Sequence, residues 1–124
     1  MNRDEQSDHD VILDLDVIAG LRELGGEDDP GLLLELVGMF LEDAPKHVRE
    51  IVAGFEGADL ERVKRASHTL KSSAANMGAM SLSGLARSIE STAKSADMDL
   101  LRELSSALSE VYGETADALG ALEE

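Results

Sequence analysis

With 124 residues, 43% of them apolar, the chain suffices for one domain with its own core and is too short for two of ordinary size. It contains no cysteine, which excludes disulfides, thiolate metal sites and cysteine nucleophiles, and its three aromatic residues, Phe40, Phe55 and Tyr112, cannot form a base-stacking platform. A net charge of −15 repels nucleic acid and anionic lipid, so neither is an expected partner.

In chain order, the opening MNRDEQSDHD is polar, aperiodic and without the apolar stretch of a signal peptide. Residues 1–11 are therefore expected to form a mobile tail and residues 12–122 a single domain. No apolar run approaches the ~20 residues of a membrane span, so a soluble, cytoplasmic protein is expected. Leu13, Val17, Leu21 and Leu24 make a first short helical stripe, stopped at Gly25-Gly26. Asp29-Pro30 offers an N-cap and a first-turn proline for a second stripe through Leu33, Leu36, Val37, Phe40 and Leu41. Pro45 then interrupts, and Val48, Ile51, Val52 and Phe55 continue in a new or kinked helix. After the turn at Gly57-Ala58, Asp59 caps a helix with Leu60, Val63, Ser67, Leu70, Ala74 and Met77 at three/four spacing, ended by Gly78. Ser81 is placed to cap the helix of Leu82, Leu85, Ile89 and Ala93, and Asp97 opens the last, with Leu100, Leu101, Leu104, Leu108, Val111 and Leu119. Short loops between these helices imply antiparallel neighbours. The expected fold is all-α: an antiparallel up-down four-helix bundle with one or two short additional N-terminal helices.

The helix from Asp59 to Met77 differs from the rest. Measured from Val63 at 100° per residue, its apolar positions lie within about 60° of one face, whereas His68 lies about 140° away and points outward. Lys64, Lys71, Ser72 and Ala75 occupy the adjacent surface positions, and Arg65 precedes the histidine by one turn. Arg62, Lys64, Arg65 and Lys71 outnumber Asp59 and Glu61 here, a basic island on an acidic chain. Such cations favour the neutral, nucleophilic imidazole, and Lys71 is placed to neutralise an arriving phosphoryl group. Small residues at Ser72 and Ala75 leave room for another protein to approach. Leu15 and Ile18 lie about 160° and 100° from Val17, off the first stripe, which makes them candidates for a docking rim or for burial under a neighbouring helix.

The run His68-Thr69-Leu70-Lys71-Ser72-Ser73-Ala74-Ala75-Asn76-Met77-Gly78-Ala79 resembles the signature of histidine-containing phosphotransfer domains. Leu15-Asp16, Gly25-Gly26 with Pro30, Phe40-Leu41-Glu42-Asp43, Gly57 with Asp59, and Ile89-Glu90 extend that resemblance over roughly residues 14–120. It implies a phosphorelay intermediate that takes a phosphoryl group on His68 from a receiver-domain aspartate and passes it to a response-regulator aspartate. Lys71 would stabilise the phosphoryl group. The implied partners are receiver domains of a hybrid histidine kinase, of response regulators, or of both. No cofactor is expected on this chain, Mg2+ belonging to the receiver. Many members have glycine where Ser72 stands, so Ser72 is expected to influence which receivers fit.

Ser72, Ala75, Lys64, Arg65, Leu15 and Ile18 are accordingly the candidate docking residues, with Lys64 and Arg65 equally readable as a solvated face. His9 and His47 read as surface residues, and Met39, Met77 and Met80 as core filler. A monomer is expected. A di-iron enzyme would need paired Glu-x-x-His motifs, which do not occur, and a histidine kinase would need a nucleotide-binding domain for which there is no room. The alternative is a non-catalytic helical adaptor, which leaves the exposed His68 and Lys71 unexplained.

Overall fold

The computed structural model describes residues 11–122, which form five helices and no strand among them: α1 (Leu15–Gly25), α2 (Leu32–Glu56), α3 (Leu60–Asn76), α4 (Met80–Ser95) and α5 (Met98–Gly120). Connections of a few residues make successive long helices antiparallel. Helix α3 packs against α2 and α4, and α5 closes the bundle against the same two, while α1 lies on α2. Each long helix turns an apolar stripe inward, and Ile51, Val63, Leu70, Leu82, Ile89, Leu101, Leu108 and Leu119 are fully buried.

Helix starts follow the expected caps in part. The carboxylates of Asp59 and Asp97 accept from the backbone N–H groups of Arg62 and Leu100, at 3.2 and 3.1 Å. Asp29 and Ser81 do not cap. Helix α2 begins at Leu32, whose N–H donates to the Asp29 carbonyl rather than to its side chain. Helix α4 begins at Met80, and Ser81 donates both its N–H (2.7 Å) and its hydroxyl (3.0 Å) to the carbonyl of Val11. Val11, placed by the sequence at the end of the tail, is thereby tied to α4.

Pro45 starts no new helix: α2 runs through it without a break. A proline leaves the carbonyl four residues earlier without its helical donor. Here that carbonyl is Leu41, and the Tyr112 hydroxyl of α5 donates to it at 3.5 Å. Two glycines permit close approaches. A Cβ on Gly54 would lie 2.9 Å from Val63 Cγ2, so its absence lets α2 and α3 meet closely. Gly78, at φ +73°, ends α3 in a left-handed turn, and its carbonyl accepts from the N–H of Asp14 at 2.7 Å.

Two apolar assignments, Leu24 and Met39, differ from expectation, and Ile18, open between docking and burial, is buried in the core. Leu24 is exposed, because the inward face of α1 centres on Ile18 rather than Val17. Met39 is exposed, one position off the buried stripe of Val37, Phe40 and Ala44.

Candidate functional site

Helices α3 and α4 share the most extensive contact in the bundle, and it decides what surrounds His68. The hydroxyl of Ser83 donates to the Lys71 carbonyl at 3.0 Å, pinning α4 to α3 one turn from the histidine. Ile89 is buried in the core, so Glu90, the next residue on α4, emerges at the seam between the helices. The His68 side chain is 62% exposed, while that of Glu90 is only 12% exposed.

Both oxygens of Glu90 are engaged. Oε2 lies 3.0 Å from His68 Nδ1, and Oε1 accepts from Lys71 Nζ at 2.9 Å. The Nζ of Lys94, one turn along α4, stands 3.9 Å from Oε2. The Lys71 hydrogen bond holds the Glu90 carboxyl below its ordinary range, with the His68 contact adding to it and burial opposing. An ionised carboxylate can only accept, so His68 Nδ1 carries the proton of that contact, and in the neutral ring Nε2 keeps its lone pair. The opposite edge of a largely exposed neutral ring is then a free nucleophilic nitrogen.

His68, Glu90, Lys64, Arg65, Thr69 and Lys94 line a shallow recess of about 400 Å³. One and two turns further along the same face of α3 as His68, exposed Ser72 and half-buried Ala75 leave the helix surface low. A second recess, of about 440 Å³, runs between α2 and α3 past Met39, Ser73 and Asn76.

The other candidates fall out unevenly. Lys71 is half-buried against Glu90 rather than free. Arg62 forms a two-pronged pair with Glu50 at 2.7 and 2.9 Å, and Lys64 pairs with Glu61 at 2.6 Å. Of the four basic-island cations, Arg65 alone has no ion pair among the described residues, so the island is less positive than its composition suggests. Leu15 is 68% exposed and stays available for docking, but Ile18 is core and cannot contact a partner directly. His47 pairs with Asp43 at 2.9 Å, and His9 lies outside the described residues. Among the described residues no group of three or more His, Cys, Asp or Glu could hold a metal, and no helix is long and apolar enough to cross a membrane.

Sequence reasoning did not assign Glu90 a role. Ile89-Glu90 stood in the resemblance, but only the α3–α4 packing brings its carboxylate to His68 and Lys71.

A helical bundle that presents one imidazole at mid-helix, held from behind by a carboxylate and flanked by a lysine, is built like a phosphohistidine carrier. Residues 35–122 match the family model of the Hpt domain, and the chain belongs to that family, whose role is histidine phosphotransfer in phosphorelays. Among solved structures, the chain is similar to histidine-containing phosphotransfer protein B from Pseudomonas aeruginosa. That match has a TM-score of 0.80 at 22% identity and covers 90% of this chain and 94% of that one. A rice protein assigned as a histidine-containing phosphotransfer protein follows, with a TM-score of 0.76, 21% identity, and coverage of 88% and 79%. At these identities the likeness concerns the fold. No curated protein matches in sequence at a significant level.

Proposed function

We propose that this protein is a phosphorelay intermediate that accepts a phosphoryl group on Nε2 of His68 from the aspartyl phosphate of one receiver domain and returns it to the aspartate of another. The observation that carries the reading is the contact between His68 Nδ1 and Glu90, 3.0 Å long, which fixes the ring proton on the edge away from solvent.

The chemistry balances without a proton donor. The Nε2 lone pair forms the N–P bond as the P–O bond to the donor aspartate breaks, its electron pair returning to that carboxylate. The ring, still carrying its Nδ1 proton, becomes a phosphorylated imidazolium whose charge Glu90 offsets. In the onward step the acceptor carboxylate attacks phosphorus, the P–N bond breaks, and the pair returns to Nε2 as neutral imidazole. Without the Nδ1 proton the leaving group would be imidazolate, a far poorer one. Lys71 neutralises phosphoryl oxygens, and the receiver supplies Mg2+, so this chain requires no cofactor and has no kinase activity of its own. Ser72 and Ala75 leave the partner's backbone room to approach, with Leu15, Lys64 and Arg65 at the rim of the docking face. The protein acts as a monomer.

The test is transfer between two receivers. A receiver domain carrying labelled aspartyl phosphate should lose its label to this chain, and a second receiver should then take it up without nucleotide. An adaptor that only binds would leave the label where it began.

A further inference from the structure

The seam between α3 and α4 holds more positive charge than the resting site uses. Lys71 already serves Glu90 Oε1 at 2.9 Å, yet Lys94 stands 3.9 Å from Oε2, beyond hydrogen-bond distance, with its side chain 63% exposed. Both Lys94 and His68 border the same recess. This arrangement changes meaning once a phosphoryl group arrives. It brings a charge of about −2 to the other edge of the ring, next to a carboxylate that is only 12% exposed. Lys71 then has two anions to serve, and the more it turns to the phosphoryl oxygens, the less Glu90 is compensated. A poorly hydrated carboxylate without its cation is costly.

We propose that Lys94 is a positioning residue: it closes onto Glu90 when Lys71 turns to the phosphoryl group, keeping Glu90 ionised and in place on His68 Nδ1–H. In the loaded site Lys71, Lys94 and the protonated ring together match the phosphoryl group and Glu90. Lys94 lies one helical turn after Glu90, so a change of side-chain rotamer suffices for the closure and the backbone need not move. The inference rests on the reading of His68 as the phosphorylated residue.

The experiment is a rapid-quench measurement of phosphoryl acceptance from a labelled receiver. It uses wild type, Lys94→Met, Lys94→Arg, Glu90→Gln and the Lys94→Met/Glu90→Gln double variant. Receiver affinity is measured in parallel with unphosphorylated receiver. Lys94→Met should slow acceptance about fivefold, the factor expected of one partly exposed ion pair, at unchanged affinity. Lys94→Arg should restore the rate to within roughly twofold, since it keeps the charge on a stem of similar reach. In the Glu90→Gln background Lys94→Met should have no further effect, because Lys94 acts through that carboxylate. Acceptance by Lys94→Met at the wild-type rate overturns the proposal. So does equal slowing in both backgrounds, or a loss of affinity that accounts for the slowing. Failure of wild type itself to take label on His68 overturns the relay reading, and this inference with it.

Discussion

Glu90→Gln is the most informative single substitution, because it preserves shape and removes one charge. In the native site Oε2 receives His68 Nδ1–H and Oε1 receives Lys71 Nζ, at 3.0 and 2.9 Å. A carboxamide has one acceptor oxygen, so it can satisfy one of these donors and turns its NH2 toward the other. One charge-assisted hydrogen bond is therefore lost, about 1.5–3 kcal/mol in a dry site. Water reaches this one, since His68 and Lys71 are 62% and 28% exposed, and the loss is discounted to about 1 kcal/mol. That corresponds to a fall in melting temperature of about 4 °C and about fivefold in transfer rate. The stability difference has a defined pH dependence. Glu90 is held below the ordinary glutamate value of 4.5 first by the Lys71 hydrogen bond and then by His68, with burial opposing. A depressed folded value makes the ionised form the stabilising one. Its contribution is thus fully present above 4.5 and vanishes as pH falls through the lowered value, so wild type and Glu90→Gln should converge in acid. The assay combines thermal melts across that range, transfer rates at neutral pH, and the ring 15N shifts of His68, which report the tautomer. Unchanged rate and unchanged tautomer in Glu90→Gln would refute the role given to this carboxylate.

Lys71→Ala should retain the helical fold at a cost of about 1 kcal/mol, since the pair it breaks is half-buried, while slowing phosphoryl transfer about tenfold or more. Melting and single-turnover kinetics together decide it; an unchanged rate would make Lys71 a structural partner of Glu90 only. Association with a receiver should slow as salt is added, because attraction to the receiver's acidic site is screened over ~10 Å at 0.1 M. Reversing Lys64 and Arg65 to glutamate should slow association about tenfold at low salt, with Arg65→Glu alone giving most of the effect, since Lys64 is already paired with Glu61. Stopped-flow rates that are flat with salt and indifferent to the reversal would mean that apolar contacts dock the partner. Gly78→Ala should destabilise by about 2 kcal/mol in urea unfolding, because the added Cβ meets the Asp14 carbonyl and Val17 Cβ, each at 3.0 Å, in a left-handed turn. A neutral result would show that the start of α1 is not held where Gly78 holds it.

What was legible in the sequence was what helical period and local chemistry decide. The outward position of His68 followed from its angle to Val63, and the starts of α3 and α5 from Asp59 and Asp97. In helix α1 the residues Leu13, Leu15, Val17, Ile18, Leu21 and Leu24 form two overlapping stripes on only three turns, so spacing alone leaves the buried face undecided. Packing on α2 chose Ile18. Pro45 reads locally as a break, yet α2 runs through it, and the distant Tyr112 hydroxyl donates to the Leu41 carbonyl, whose helical donor the proline removes. Composition marked a basic island, but the Glu50–Arg62 pair crosses a turn and cannot be read from spacing. Glu90 was the largest omission, and for the same reason: its partners on α3 lie 19 and 22 residues away in sequence, and only the bundle brings them together.

The central claim is that one nitrogen of one residue carries the phosphoryl group. Its most direct test is to load the full chain from a phosphorylated receiver, map the label by mass spectrometry, and assign the phosphorylated nitrogen by NMR. The account predicts one acid-labile, base-stable phosphate, on Nε2 of His68, and none in His68→Gln. Label that survives His68→Gln, or that sits on Nδ1, where Glu90 holds the proton, would contradict it.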